Sequence, residues 1–137
     1  MGLFTASYQL MDIGLLVLRV AVAAVFLTHG ITKASFWTGH SLSARSRSFA
    51  RIMRLLAIME PICAVFVMAG ALARFTAWGL SAVSLGAIYY KIEMLHASFM
   101  STDKTGWEFD VILLAASAAL VFAGAGALSI DAMFLGQ

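Results

Sequence analysis

Long apolar runs alternate with short polar segments along the whole chain. Four runs approach the roughly 20 residues that a helix needs to cross a bilayer, and they cover about residues 13–31, 52–73, 76–95 and 109–128. Backbone groups cannot remain unpaired in lipid, so each run is expected to be helical. The connections are short except the first. The pattern therefore predicts a single domain over residues 1–137, an all-α membrane protein folded as an antiparallel bundle of four transmembrane helices.

The composition also favours a lipid environment. Of the 137 residues, 62% are hydrophobic and 12% are charged, with a mean hydropathy of +0.94, whereas soluble proteins are about 45–50% apolar and about 25% charged. The net charge is only +2, and we expect the bilayer, not a nucleic acid, as the partner. The lone Cys63 excludes an intrachain disulfide and a Cys-x-x-Cys redox pair. The first twelve residues contain no Lys or Arg, so the first run is expected to be a retained span and not a secretory signal.

Basic residues are concentrated on one side of the predicted bundle. The opposite side carries only Arg74, whereas the first connection and its flanks carry Lys33, Arg45, Arg47, Arg51 and Arg54. Cytoplasmic loops of membrane proteins are enriched in Lys and Arg. The first and third loops are therefore predicted to be cytoplasmic, with both termini outside.

Two ionisable residues, Arg19 and Glu60, fall within the first and second spans. A charge at mid-bilayer costs about 2.5–3.5 kcal/mol and usually faces the bundle interior. At 1.5 Å of rise per residue their backbones differ in depth by roughly 6–8 Å, which an Arg side chain can cover, so we predict an Arg19–Glu60 ion pair. The alternative is that Arg19 extends to the nearer surface and Glu60 is protonated. Pro61 would kink the second helix, either to shape a polar pocket or for packing alone.

A group of polar residues is expected near the cytoplasmic ends of the helices. His29 and Lys33 share a helical face, while Tyr89, Glu93 and His96 form one stripe from which Lys91 points away. Antiparallel helices would bring these groups to the depth of the acidic start of span four. The predicted pocket has Tyr89, Trp37 and Trp107 at its rim. Its predicted binding residues are His29, Lys33, Glu60, Glu93, His96, Trp107 and Glu108.

Histidine and carboxylate groups beside aromatic walls suit a quinone headgroup, because they hydrogen-bond its carbonyls and exchange protons. The same residue types are also compatible with other kinds of binding site. His29 and His96 could be axial haem ligands, or could bind a metal ion with Glu108. The groups could form a proton relay, or only satisfy helix ends and lipid phosphates. No motif accompanies a haem or metal site, so we predict no metal.

Three segments resemble the DoxX family of membrane proteins. LRVAVAAVFLTHGITK is similar to the family's first helix, EPICAVFVMAGALARFTAW to its second helix and hairpin, and GWEFDVILLAASAALVFAGAGALSID to its fourth helix and tail. The resemblance runs from about Leu16 to Asp131. In one departure, Asp110 replaces a usual proline, so span four is expected to begin differently. The family pattern maps onto Arg19, His29, Gly30, Lys33, Glu60, Pro61, Arg74, His96, Gly106, Trp107 and Glu108.

The resemblance implies a multi-pass protein of a bacterial-type inner membrane. Some members of the family are the membrane subunit of a thiosulfate:quinone oxidoreductase, and others associate with membrane redox complexes. For this chain the resemblance implies a quinone ligand and a soluble redox partner or second subunit. Whether the chain is an enzyme stays open. One alternative is a non-catalytic scaffold or assembly protein. Another is a small-solute or proton pathway, which would need a homo-oligomer because the chain has no inverted repeat.

Overall fold

A computed structural model describes residues 2–33, 47–100 and 106–135, with side-chain positions for 7–33, 51–100 and 106–134. Over these residues the protein is helical and has no strand, which confirms the predicted all-α class. The helices are α1 (Gly2–Lys33), α2 (Arg47–Ala69), α3 (Ala73–Glu93), α4 (Glu108–Ala123) and α5 (Ile130–Leu135).

Two stretches are long and apolar enough to cross a membrane by length and composition. They are Ser7–Lys33 in α1 and Arg51–Ala69 in α2. Helix α4 has 16 residues, fewer than the roughly 20 that a straight span needs.

Glycines in the left-handed region end two helices before their predicted ends. Helix α2 stops at Ala69 and not at residue 73, because Gly70 has φ +68°. Helix α4 stops at Ala123 and not at residue 128, because Gly124 has φ +79°. Such φ values are accessible to glycine at little cost and commonly terminate helices.

Consecutive helices run antiparallel in two pairs. Along α1, Arg19 lies against Gly70 and Gly30 lies against Pro61, so rising numbers on α1 meet falling numbers on α2. In the second pair, Arg74 of α3 lies near Gly124 after α4, while Lys91 of α3 lies beside Asp110 of α4. The core between all four helices is apolar and includes Val22, Phe26, Val67, Leu80 and Leu120.

The contacts define two ends of the molecule. The end that carries Lys33 and Lys91 is called the loop end, and the end that carries Gly70 and Gly124 is called the turn end. Pro61 lies inside α2, where it packs against Gly30 of α1. A Cβ on Gly30 would lie 2.8 Å from Pro61 Cδ, so the glycine allows the two helices to approach closely.

The chain after α4, residues 124–135, folds back under the turn end and is called the tail. The carboxylate of Asp131 accepts hydrogen bonds from the backbone N–H groups of Leu72 (2.7 Å) and Ala73 (2.9 Å), where α3 begins. Asp12 of α1 accepts a hydrogen bond from the Ala127 N–H at 2.8 Å. The first N–H groups of a helix lack partners within the helix. The tail therefore caps α3 and is itself fastened to α1.

The turn at Gly70 provides a test of this packing. Gly70→Ala would place a Cβ against the Arg19 guanidinium and 2.5 Å from Ser129 Cβ, at a φ that alanine rarely adopts. We expect the free energy of unfolding in detergent to fall by about 1–3 kcal/mol. The control is Gly14→Ala, whose Cβ would meet no atom within 4 Å. It should leave stability unchanged or raise it by up to about 1 kcal/mol. Equal melting temperatures for the two variants would contradict the packing described here.

Candidate functional site

A cavity of about 690 Å³ lies at the loop end, bordered by α1, α2, α3 and the start of α4. We call it the loop-end cavity. Its volume is within the roughly 300–1,000 Å³ of small-molecule sites. Apolar walls are formed by Ile52, Met53, Leu56, Val83 and Leu95, and the polar and aromatic lining includes His29, Lys33, Tyr89, Lys91 and Asp110. The cavity is thus amphipathic, with mostly apolar walls and a few convergent polar groups.

A first ion pair joins α1 to α2 at this cavity. The Lys33 ammonium donates a hydrogen bond to Oε1 of Glu60. Glu60 is only 1% exposed, so its carboxylate has been removed from solvent. A carboxylate buried in this way is stable as an anion only when a cation accompanies it. Lys33 supplies that cation and its side chain, 23% exposed, also lines the cavity.

A second ion pair joins α3 to α4. Lys91 Nζ lies 2.6 Å from Oδ2 of Asp110 and donates a hydrogen bond to the Gly106 carbonyl oxygen at 3.1 Å. Asp110 is buried, and it stands in the first turn of α4, where the positive end of the helix dipole favours a carboxylate. The two pairs are equivalent in kind, because each connects a helix to the next one along the chain.

His29 lies among these charges. Lys33, Glu60, Lys91 and Asp110 all act electrostatically on its imidazole. Its ring is also close to two phenylalanine rings, with centroid distances of 6.0 Å to Phe109 and 6.4 Å to Phe26. The two lysines and two carboxylates balance, so the charged groups around His29 are together electroneutral. An imidazole in such a setting can donate, accept or exchange a proton with a bound molecule.

The predicted ion pair between Arg19 and Glu60 does not form. Glu60 pairs with Lys33, and Arg19 lies towards the turn end, where its guanidinium donates to the Leu128 carbonyl oxygen and is attracted by Asp131. Arg19 is fully buried. The prediction failed because the two residues differ more in depth than expected. Arg19 lies against Gly70, ten residues along the chain from Glu60, which is roughly 15 Å at the rise of an α-helix. The chain leaves α4 at Gly124, and its tail supplies the Leu128 carbonyl oxygen to Arg19.

Two of the predicted binding residues, His29 and Lys33, line the loop-end cavity, and Glu60 lies behind Lys33 as its ion-pair partner. The four others do not line it. Helix α3 ends at Glu93, and His96 has φ +46°, so the helical spacing that placed Glu93 and His96 on one stripe does not persist. Both side chains are exposed.

The aromatic and acidic residues before α4 also lie outside the cavity lining. Trp107 packs edge to face on Phe99, with ring centroids 4.5 Å apart. Glu108 is half-buried, and its backbone N–H donates to the Phe99 carbonyl oxygen at 3.2 Å. Tyr89 does line the cavity as predicted for the rim. Trp37, the other predicted rim residue, lies outside the described residues.

Sequence reasoning missed Lys91 and Asp110. Lys91 was expected to point away from the pocket, yet its side chain is only 20% exposed and faces Asp110. The signal was present in the chain, because a carboxylate so close to an apolar run needs a cation nearby. Within the part of the chain that the structure describes, no group of three or more His, Cys, Asp and Glu residues could hold a metal ion.

Comparison with known proteins gives a family. A family model described as DoxX matches residues 14–93, which is more than half of the chain and includes α2, α3 and most of α1. No curated protein and no solved structure matches the chain. The matched region contains Lys33, Glu60 and Lys91, whereas Asp110 lies beyond it.

The Lys33–Glu60 pair can be tested by a double-mutant cycle. Lys33→Met leaves the buried Glu60 carboxylate without its cation, and we expect a loss of about 3–5 kcal/mol in the free energy of unfolding. Replacing both residues, in Lys33→Met/Glu60→Met, removes the unpaired charge and should recover most of that loss. Glu93→Gln, at an exposed position at the end of α3, is the control and should stay within about 0.5 kcal/mol of wild type. Unfolding in detergent measures wild type, these three variants and the second single variant, Glu60→Met. A double variant as unstable as the sum of the single variants would exclude coupling between Lys33 and Glu60.

Proposed function

This chain belongs to the DoxX family of membrane proteins, and on that premise we propose that it binds a lipid-soluble quinone in the loop-end cavity. It would act as the membrane subunit of a redox complex in a bacterial-type inner membrane. The amphipathic loop-end cavity is the observation that carries this proposal. Its apolar walls suit a quinone ring and tail, and its polar lining suits carbonyl oxygens.

We propose further that the chain crosses the membrane four times as an antiparallel bundle. The exposure of its helices supports this. Within an apolar window of 18 residues in each of the two stretches of α1 and α2, only 22% of the residues are buried inside the protein. The remaining apolar side chains need a non-aqueous environment, which lipid supplies. Outward-facing examples on all four helices are Val17, Ile58, Ile62, Leu85 and Ile112.

The orientation belongs to the same proposal. The loop end carries Lys33 and the exposed Arg51, with Arg45 and Arg47 close by in the sequence. By the positive-inside rule this end would face the cytoplasm. A soluble redox protein or second subunit would then dock on the cytoplasmic side and exchange electrons with the bound quinone.

The cavity residues have separate roles in this account. A bound quinone supplies two-electron chemistry coupled to proton uptake and release. The ammonium groups of Lys33 and Lys91 would donate hydrogen bonds to carbonyl oxygens. Glu60 and Asp110 hold those ammonium groups in place, and they keep the lining neutral so that an uncharged headgroup is favoured. His29 would exchange protons with the ligand.

A scaffold without chemistry is the main competing function. The two interhelical ion pairs favour it, because they hold neighbouring helices together whether or not a ligand is bound. The two functions differ in one respect. A scaffold requires the helices to be held together, whereas a quinone site also requires the cavity to stay open.

Filling the cavity separates the two functions. Gly86 lines the cavity, and a Cβ there would meet no atom within 4 Å, so Gly86→Leu adds volume without a backbone clash. We expect it to weaken binding of a short-chain quinone by at least about tenfold, equivalent to about 1.4 kcal/mol, with little change in melting temperature. Gly14→Leu, in the open space beside α1, is the matched control and should bind as wild type. Calorimetric titration of the detergent-solubilised protein measures the affinity.

Two results would count against the quinone site. One is wild-type protein that binds no quinone. The other is Gly86→Leu protein that binds quinone as tightly as wild type. If the first result were accompanied by normal recovery of a partner subunit with both wild type and Gly86→Leu, the scaffold function would be favoured.

A further inference from the structure

A second, smaller cavity lies at the turn end, on the far side of the protein from the ion pairs. It has a volume of about 280 Å³ and is formed where the tail passes between Asp12 of α1 and the start of α3. We call it the tail pocket. A water molecule needs only about 10–15 Å³ of such volume, so the tail pocket can admit a polar group much larger than water. Its lining includes Asp12, Arg74, Gly124, Gly126, Ser129 and Asp131.

We propose that the tail pocket binds the headgroup of a zwitterionic phospholipid that carries a primary ammonium, of the phosphatidylethanolamine class. The site would hold the lipid phosphate at Arg74 and the ammonium at Asp12. This proposal is separate from quinone binding, because it uses other residues at the other end of the molecule.

Arg74 supplies the group for the phosphate. Its side chain is exposed, and it forms no ion pair with any carboxylate among the residues that the structure describes. The guanidinium lies against Gly124: a Cβ on Gly124 would be 3.3 Å from Arg74 Nε. The glycine therefore leaves room for the guanidinium at the edge of the pocket. A planar guanidinium with several N–H donors is well suited to phosphate oxygens.

Asp12 supplies the acceptor for the ammonium. Its Oδ1 accepts the hydrogen bond from Ala127, which fixes the carboxylate at the pocket and leaves Oδ2 for a ligand. Asp131 differs, because each of its oxygens already accepts a backbone N–H at the start of α3.

The charge balance favours a ligand that carries both signs. Asp12 and Asp131 contribute two negative charges. Arg74 and the buried Arg19, which donates to the Leu128 carbonyl oxygen and is attracted by Asp131, contribute two positive charges. A purely anionic or purely cationic ligand would disturb this balance, whereas a zwitterion maintains it while pairing with both Arg74 and Asp12.

The surroundings favour a lipid over a soluble zwitterion. Exposed aromatic side chains lie on the elements that border the pocket: Phe75 (79% exposed) and Trp78 (66%) at the start of α3, and Phe122 (84%) at the end of α4. Tryptophan is enriched at membrane interfaces, and the two phenylalanines add exposed apolar surface beside the pocket. They would contact the glycerol and acyl regions of a lipid whose headgroup occupies the tail pocket.

Native mass spectrometry of the delipidated full-length protein in detergent tests the site. Phosphatidylethanolamine, phosphatidylcholine and phosphatidylglycerol are each added back, and soluble phosphoethanolamine is added in a separate arm. We expect one phosphatidylethanolamine to bind at least tenfold more tightly than phosphatidylcholine, because a trimethylammonium has no N–H to donate to Asp12. Phosphatidylglycerol lacks the ammonium and should also bind at least tenfold more weakly. Soluble phosphoethanolamine should bind only weakly, because it lacks the apolar part that contacts the aromatic residues.

Variants locate the binding. Arg74→Gln removes the guanidinium, and Asp12→Asn removes the charge while it keeps an oxygen that can accept from Ala127. Each should weaken phosphatidylethanolamine binding about tenfold, and Arg74→Lys should restore most of it. Arg51→Gln, at an exposed position at the loop end, is the control and should bind as wild type.

Equal binding of all three lipids, or undiminished binding of phosphatidylethanolamine by Arg74→Gln, would overturn the proposal. Equal binding of soluble phosphoethanolamine and the lipid would overturn the assignment to a phospholipid. If Asp12→Asn lowers the melting temperature, Arg74→Gln decides alone, because Arg74 forms no ion pair with the described residues that its loss could break.

Discussion

A charge buried away from water must have a partner, and this requirement organises the loop end of the protein. Glu60 and Asp110 are almost fully buried in apolar helices, and each is matched by a lysine from the preceding helix. Removing one member of such a pair destabilises a protein far more than replacing both members with apolar residues. The pairs therefore determine which helices lie together at this end. They also place two ammonium groups and His29 at the wall of an otherwise apolar cavity.

At the turn end a backbone carbonyl oxygen and a nearby carboxylate take the place of an ion pair, and Nε and Nη1 of Arg19 have no hydrogen-bond partner among the described residues. Arg19 is fully buried, and its guanidinium is directed to a backbone carbonyl oxygen and towards Asp131 of the tail. The tail in turn caps α3 through Asp131 and is held to α1 through Asp12. The buried charged groups are thus concentrated at the two ends, and between them lies an apolar core in which Ser81, Ser84 and Ser117 are the buried polar residues of α3 and α4. The loop-end cavity is therefore amphipathic, the tail pocket is polar, and the charges around each of them balance.

The helices could be predicted from hydrophobic runs, because lipid allows an apolar segment of that length few other structures. The pairing of the buried charges could not be predicted in the same way. The depths estimated from the sequence allowed Glu60 to meet Arg19, but the register of α1 against α2 sets Arg19 beside Gly70 and Lys33 beside Glu60. His96 was misplaced because no glycine or proline marks the end of α3 after Glu93. Asp110 was noticed as a departure from the family pattern, but its partner Lys91 was expected to face away.

Isotope-edited infrared spectroscopy would test the central claim most directly, that the ion-paired lining of the loop-end cavity hydrogen-bonds an uncharged quinone. A quinone labelled with carbon-13 at its carbonyls would be added to the purified protein in detergent. We predict that the labelled carbonyl stretch moves to lower frequency than in detergent alone, because ammonium donors weaken the C=O bond. A carbonyl frequency that is identical with and without the protein would contradict the account.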